Sequence, residues 1–172
     1  MVAILVCYGT GEGQTAKVAD RIAEELTVHG HDPTVVNAAD VEIDFDLDEY
    51  AAVLVGASVH FGRHQKAVRQ FVTAHRDALV TTPTGFFQVS GASADEESAA
   101  AAVEYVDEFT DATNWRPDRI GLFGGAIRFS KYGFLLGGLM KLVAREAFPE
   151  ARTDATGDVE FTDWESVDAF AA

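Results

Sequence analysis

The sequence predicts an α/β protein: one open parallel sheet, doubly wound, with helices on both faces. Three observations carry that expectation. Five strand-like apolar runs recur along 172 residues, most of them separated by runs with helical spacing. One of them, AAVLVGAS at 51–58, is apolar at both alternating faces, as a strand buried inside a parallel sheet is. A glycine-rich turn, YGTGEGQT, stands where the first run gives way to the first helix, a place where such sheets hold ligands. The length fits one domain over 1–172.

The elements follow in order. Residues 2–8 are β-branched and apolar and read as a buried first strand. From Gln14 to about His29, Val18, Ile22, Ala23 and Leu26 share a face at helical spacing, with Lys17, Asp20, Arg21, Glu24 and Glu25 outside and Gly30 as the stop. A second strand spans 34–37, an acidic connection follows, and the third strand is 51–58. A helix over 65–79 turns Val68, Phe71 and Val72 inward. TGFFQVS at 84–90 is a fourth strand. An alanine-rich helix over 95–110 has acids at its start, where the helix dipole favours them. A fifth strand spans 119–127, and the chain closes with a short strand and a terminal helix capped by Thr162 or Asp163.

Charge restricts the function classes. Twenty-eight Asp and Glu face thirteen Lys and Arg, a formal net charge of −15, and only Lys17, Lys66, Lys131 and Lys141 are lysines. Such a surface repels nucleic acid. Its acidity and lysine scarcity point to a halophilic protein that keeps its surface soluble in molar salt. The N-terminus MVAILVCYG has no basic region and too short an apolar run to cross a bilayer, so a cytoplasmic location is expected. The lone Cys7 excludes an internal disulfide framework and sits in a core strand. Trp115 and Trp164 read as packing anchors.

The glycine turn carries the chemistry. Gly9, Gly11 and Gly13 let the backbone turn tightly and approach an anion, and Thr10, Gln14 and Thr15 supply donors beside a helix start. A dinucleotide fingerprint from Gly9 fails at Gln14, and from Gly11 it passes only in a relaxed form ending at Ala16. No Gly-Lys pair exists, which excludes a P-loop. With no cation in the turn, the ligand it suits is one terminal phosphate monoester held by amides and hydroxyls. The carboxylate of Glu12 is expected to face away from that phosphate. His60 and His64 do not form a metal site by spacing, since a glycine-containing loop is no helical face and no Cys or carboxylate clusters with them. Periodicity alone leaves two doubly wound strand orders open.

Residues 8–15 resemble the phosphate loop of flavodoxins. The blocks VVNAADV, VLVGASVHFGRHQKAVRQFV, NWRPDRIGLFGGAIRFSKY, LMKLV and VEFTDWESVDAFA are similar, in order, to those of the flavodoxin-type, menaquinone-dependent protoporphyrinogen IX dehydrogenases. The resemblance runs from residue 2 to residue 171 and implies a flavodoxin-like sheet of order 2-1-3-4-5 with an apolar insertion after strand five. It also implies FMN. Thr10, Gly11, Glu12, Gly13, Gln14 and Thr15 would hold its phosphate, and Ser58, Val59, His60, Phe61 and Gly62 would form one wall of the isoalloxazine, with Phe61 as the stacking ring. Ser90, Gly91, Ala92 and Ser93 would form the other wall, with Gly124, Gly125 and Ala126 along the same edge. The activity implied is FMN-dependent dehydrogenation of protoporphyrinogen IX with a quinone as acceptor. His60 and Arg128 are the candidates for a catalytic role.

The insertion, at about 132–150, contains YGFLLGGLMKLVAREAF. Phe134, Leu135, Leu136, Leu139, Met140, Leu142 and Val143 make it apolar, and Gly137 and Gly138 weaken any helix through it. Three roles are open for it: a lid over the flavin, a surface at 133–143 that docks on a membrane, or buried core and contact between copies of the chain. Arg128, Lys131 and Arg145 flank it as candidates for substrate carboxylates or a quinone head group. Two other functions stay open beside the enzyme. An acidic flavodoxin-type electron carrier without its own substrate fits the charge and the loop SGASADEESAA, which has no Arg or Lys where the resembled family is basic. A flavin-free signalling domain is the third.

Overall fold

Alternation along the first strand, β1 (Ala3–Gly9), sets the two faces of the molecule: Ile4 and Val6 pack on one side, Leu5 and Cys7 on the other, and all four are buried. The computed structural model describes residues 1–42, 45–91, 98–127, 152–153 and 159–172. After β1 come α1 (Gln14–Val28), β2 (Asp32–Asn37), β3 (Ala52–His60), β4 (Arg63–His64), α2 (Lys66–Ala74), α3 (Arg76–Leu79), β5 (Thr84–Ser90) and α4 (Ala99–Thr113). The chain continues through β6 (Arg119–Gly124), β7 (Ala126–Ile127), β8 (Arg152–Thr153), β9 (Val159–Glu160) and α5 (Trp164–Ala171).

The main sheet runs β2-β1-β3-β5-β6, with all of these pairs parallel. Counting only the five parallel strands, this is the order 2-1-3-4-5 that the sequence resemblance implies. One face packs Leu5, Val55 and Phe86 against Val68 and Phe71 of α2 and Phe109 of α4. The rings of Phe86 and Phe109 stack with centroids 4.9 Å apart, and Trp115 meets both edge-on. The other face packs Val6, Phe87 and Val89 against Val18 and Ile22 of α1 and Val167 and Phe170 of α5. The ring of Phe87 lies so close over Gly56 that a β-carbon there would stand 2.1 Å from it. A fork joins α1 to α5: Arg21 Nε and Nη2 donate to the two carboxylate oxygens of Asp168 at 2.6 and 2.7 Å. Those hydrogen bonds hold the Asp168 carboxyl below its ordinary range and push the Arg21 guanidinium higher still. Cys7 is a core residue, as expected, and burial pushes its thiol up to about 12.

The elements depart from the sequence expectations at five places: α4 runs on to Thr113, past the expected end at 110, and the other four have a physical reason. The helix expected over 65–79 breaks at His75, whose ring Nδ1 lies 2.9 Å from the Phe71 carbonyl that the helix end also uses. The second strand starts earlier, at Asp32, and tolerates Pro33 because β2 is the sheet edge. The third strand continues to His60 and folds back as a hairpin with β4. The strand expected over 119–127 breaks at Gly125: its N–H donates to the Ser90 carbonyl at 3.1 Å and its carbonyl accepts from Phe161 N–H at 2.9 Å. Beyond that turn the chain leaves the main sheet, and β7 pairs antiparallel with β9. Of the two expected caps for α5, Asp163 is the one used, accepting from Glu165 N–H at 3.1 Å.

Candidate functional site

Parallel strands that end together leave their carboxyl ends at one rim. The register aligns Gly9 with Ala57, Ser58 with Val89, and Ser90 with Gly124. Because β2 and β3 lie on opposite sides of β1, their connections diverge there and a crevice results. A cleft of about 220 Å³ occupies that place.

Twelve expected site residues line it: Thr10, Gly11, Glu12, Gln14, Thr15, Ser58, Val59, His60, Ser90, Gly91, Gly125 and Ala126. At its floor the turn is self-supporting. Gly13 adopts φ +98°, left-handed backbone that suits glycine, and caps α1. Its N–H donates to Thr10 Oγ1 at 2.8 Å, which leaves the Thr10 proton for another acceptor. The start of α1 faces the cleft through Gln14 and Thr15, and an α-helix leaves its first N–H groups without intrahelical acceptors. Thr15 is fully buried, yet its hydroxyl has no hydrogen-bond partner among the described residues. A buried hydroxyl left in that state costs free energy unless a ligand satisfies it.

Several expected site residues take other places. Gln14 lines the cleft, and its Nε2 donates to Thr162 Oγ1 at 2.9 Å, while Thr162 Oγ1 in turn donates to the Gly124 carbonyl at 2.7 Å. Gly124 therefore stands behind the wall, outside the lining. Phe61 and Gly62 are not in the lining either. They form the two-residue tip of the β3–β4 hairpin, at φ +49° and +73°, and Phe61 is 94% exposed. Glu12 is half-buried and belongs to the lining. Ala92, Ser93, Arg128, Lys131, Arg145 and the insertion at 132–150 lie outside the described residues.

The sequence reading missed Val89 and Phe161, which complete the lining, and Gln65, which fixes Ser58. Gln65 Oε1 accepts from Ser58 N–H at 3.0 Å, and its Nε2 donates to Ser58 Oγ. It also cast Thr162 only as a possible helix cap. None of these had a local signal, since each acts across the fold. His64 is no partner for His60: it is buried against Phe86 and Phe109, with Nε2 2.7 Å from Gln88 Oε1. Burial pushes it down to about 4, so it is neutral at pH 7. Among the described residues no group of three or more His, Cys, Asp or Glu could hold a metal ion.

No Lys or Arg belongs to the described lining. Lys17, on the first turn of α1, is held 3.6 Å from Glu160, which also accepts from Trp164 Nε1 at 3.0 Å. The site thus offers hydroxyls, backbone amides and a helix start to an anion.

Comparison with known proteins places these features in a family. A family model described as a flavodoxin domain matches residues 5–154. Protoporphyrinogen IX dehydrogenase [quinone] of Escherichia coli (strain K12) is 32% identical over 168 residues, covering 97% of this chain and 91% of that protein. The protein of the same description from Leishmania major is 31% identical over 174 residues, covering 98% of this chain and 72% of its own length. Among solved structures, a Megasphaera elsdenii flavodoxin in its two-electron reduced form superposes with a TM-score of 0.53 at 21% identity, over 69% of this chain and 84% of that one. A Bacillus cereus flavodoxin gives 0.53 at 16% identity, over 72% and 84%.

Proposed function

The chain belongs to the flavodoxin domain family, and on that premise we propose that it is an FMN-dependent oxidoreductase that dehydrogenates protoporphyrinogen IX with a quinone as electron acceptor. FMN is the cofactor of the domain, and the residues present fit it. Thr15 carries this reading: a fully buried hydroxyl without a partner among the described residues, in the lining of the cleft at the start of α1. A phosphate oxygen is the acceptor that such a group, flanked by backbone amides, suits.

In this reading Thr10, Thr15 and the amides of residues 11–15 hold the phosphate, and Gln14 positions the turn through Thr162. Ser58–His60 and Ser90–Gly91 flank the ring system, Gln65 fixes Ser58, and Val59, Val89 and Phe161 exclude water from it. FMN, when bound, supplies the hydride and electron transfer. The overall change removes six electrons and six protons from one porphyrinogen and reduces three quinones to quinols. The substrate assignment rests on the relatives that match over 97% and 98% of the chain. Arg128, Lys131 and Arg145 remain the proposed contacts for carboxylates of the substrate.

The test is anaerobic turnover of the FMN-loaded protein with protoporphyrinogen IX and a soluble quinone in molar salt. Protoporphyrin absorbance is expected to rise with three quinols formed per porphyrin. A loaded protein that forms no porphyrin, or that quinone does not reoxidise after reduction, overturns the enzyme. The formal charge of −15 favours one second reading, an electron carrier that docks on basic redox proteins. It predicts FMN loading and reduction without any porphyrin.

A further inference from the structure

The residue that joins the β3–β4 hairpin to α2 carries a side chain that does not serve its helix. Gln65 holds the N-cap position of α2, where a short polar side chain ordinarily accepts from the first helical N–H groups. The Gln65 side chain makes no such bond. Both ends of its amide turn to Ser58 instead: Oε1 accepts from Ser58 N–H at 3.0 Å, and Nε2 donates to Ser58 Oγ. The Ser58 N–H fixes which end is which, because it can only donate and so requires the amide oxygen.

That grip decides the polarity of Ser58. A hydroxyl carries one proton, and with its oxygen already accepting from Gln65 the proton goes elsewhere. Ser58 lines the cleft, and its proton has no acceptor among the described residues. Thr10 is in the same state, since its Oγ1 accepts from Gly13 N–H. The two stand side by side: Gly9 pairs with Ala57 in parallel register, and the next residues are Thr10 and Ser58. Gln65 also packs against the glycine turn. A β-carbon on Gly9 would stand 3.3 Å from Gln65 Cβ and 3.4 Å from its Oε1, and one on Gly11 would stand 3.7 Å from its Nε2. The amide thus lies between the turn after β1 and the end of β3, behind the cleft lining.

We propose that Gln65 is a positioning residue for the phosphate of the cofactor: it aims the Ser58 proton at the place where the turn holds that group. Glutamine suits this arrangement because one end of its amide accepts, the other donates, and neither is charged. A carboxylate of the same shape accepts at both ends. It would draw the Ser58 proton back toward itself and leave oxygen lone pairs facing an anion. The inference rests on the phosphate placement proposed above and on no particular substrate.

The experiment titrates the full chain, freed of flavin, with FMN and with riboflavin and reads flavin fluorescence. It is run at about 1 M salt, which confines the reach of an added charge to about 3 Å. Ser58→Ala is expected to weaken FMN roughly tenfold, and Gln65→Glu by roughly tenfold to a hundredfold. Gln65→Met, which frees the Ser58 hydroxyl to rotate and adds no charge, is expected to weaken FMN about threefold to tenfold. Riboflavin stays within about twofold of wild type in all three, because it lacks the phosphate. In a Ser58→Ala background Gln65→Glu costs about threefold or less, since no proton is left to misdirect. Penalties that multiply in full in that double variant overturn the proposal, because Gln65 then acts without Ser58. So does an equal loss of riboflavin, which makes Gln65 a prop for the wall as a whole. A wild type that binds FMN and riboflavin alike rejects the phosphate site, and the inference with it. A wild type that prefers FMN, with both Gln65 variants keeping that preference in full, rejects Gln65 and keeps the site.

Discussion

Thr15 and His64 are both buried polar residues, and they make opposite predictions. The Thr15 hydroxyl has no partner among the described residues, so Thr15→Val is expected to leave the apoprotein's melting temperature unchanged or slightly raised. In the proposed site it removes a hydrogen bond to a charged phosphate, and FMN affinity is expected to fall by roughly tenfold to a hundredfold. Riboflavin, which lacks the phosphate, serves as the control, and its affinity stays as in the wild type. Flavin fluorescence titration reads both. His64 Nε2 donates to Gln88 Oε1, a bond that favours the protonated ring, but burial outweighs it and keeps the ring neutral. Unfolded, a histidine takes up a proton near pH 6.5; folded, this one resists until about 4. Stability is therefore full above pH 6.5 and falls as pH drops toward 4, by about 3 kcal/mol in total. His64→Gln is expected to flatten that part of the pH dependence, checked by urea unfolding at pH 7 and pH 4.5. The glycine turn was legible in sequence because its signals are local: glycines that permit the turn, hydroxyls beside a helix start, no cation. The role of His64 was not, because neutrality comes from burial against Phe86 and Phe109, both more than twenty residues away in the chain.

Strands and helices were legible where burial is one-sided or complete. β5 matches its expected bounds because all seven of its residues are buried and glycine and serine bracket the run. The breaks were not legible. Gly125 turns the chain because Ser90 and Phe161 hold its backbone, and neither is a neighbour in sequence. The same long-range bonding lets the C-terminal segment support the site. Thr162 ties the start of α1, through Gln14, to the end of β6, through Gly124. Thr162→Val removes the hydroxyl that accepts from Gln14 Nε2 and donates to the Gly124 carbonyl, and is expected to cost about 1–3 kcal/mol in urea unfolding. It should weaken FMN binding as well, whereas Thr162→Ser keeps the hydroxyl and restores both. If Val and Ser behave alike, the connection carries no strain between the two elements and the cleft forms without it.

The net charge of −15 acts on every part at once. Unpaired acids repel one another over about 10 Å at 0.1 M salt and over about 3 Å at 1 M. The melting temperature is expected to climb by several degrees between those concentrations and then to level off, measured by scanning calorimetry; a flat or falling profile rejects a salt-adapted surface. The charge was readable from composition alone. What the fold adds is that the described cleft contains no lysine or arginine to draw an anion inward. Ordinary anion sites lose affinity as salt rises, because ions screen an attraction. In the proposed complex they screen a repulsion between a phosphate dianion and the acidic shell. Ionic strength then governs cofactor loading, and with the opposite sign from usual. A preparation dialysed into dilute buffer turns colourless and regains its yellow when salt and FMN are restored together, while riboflavin, uncharged, binds alike in both.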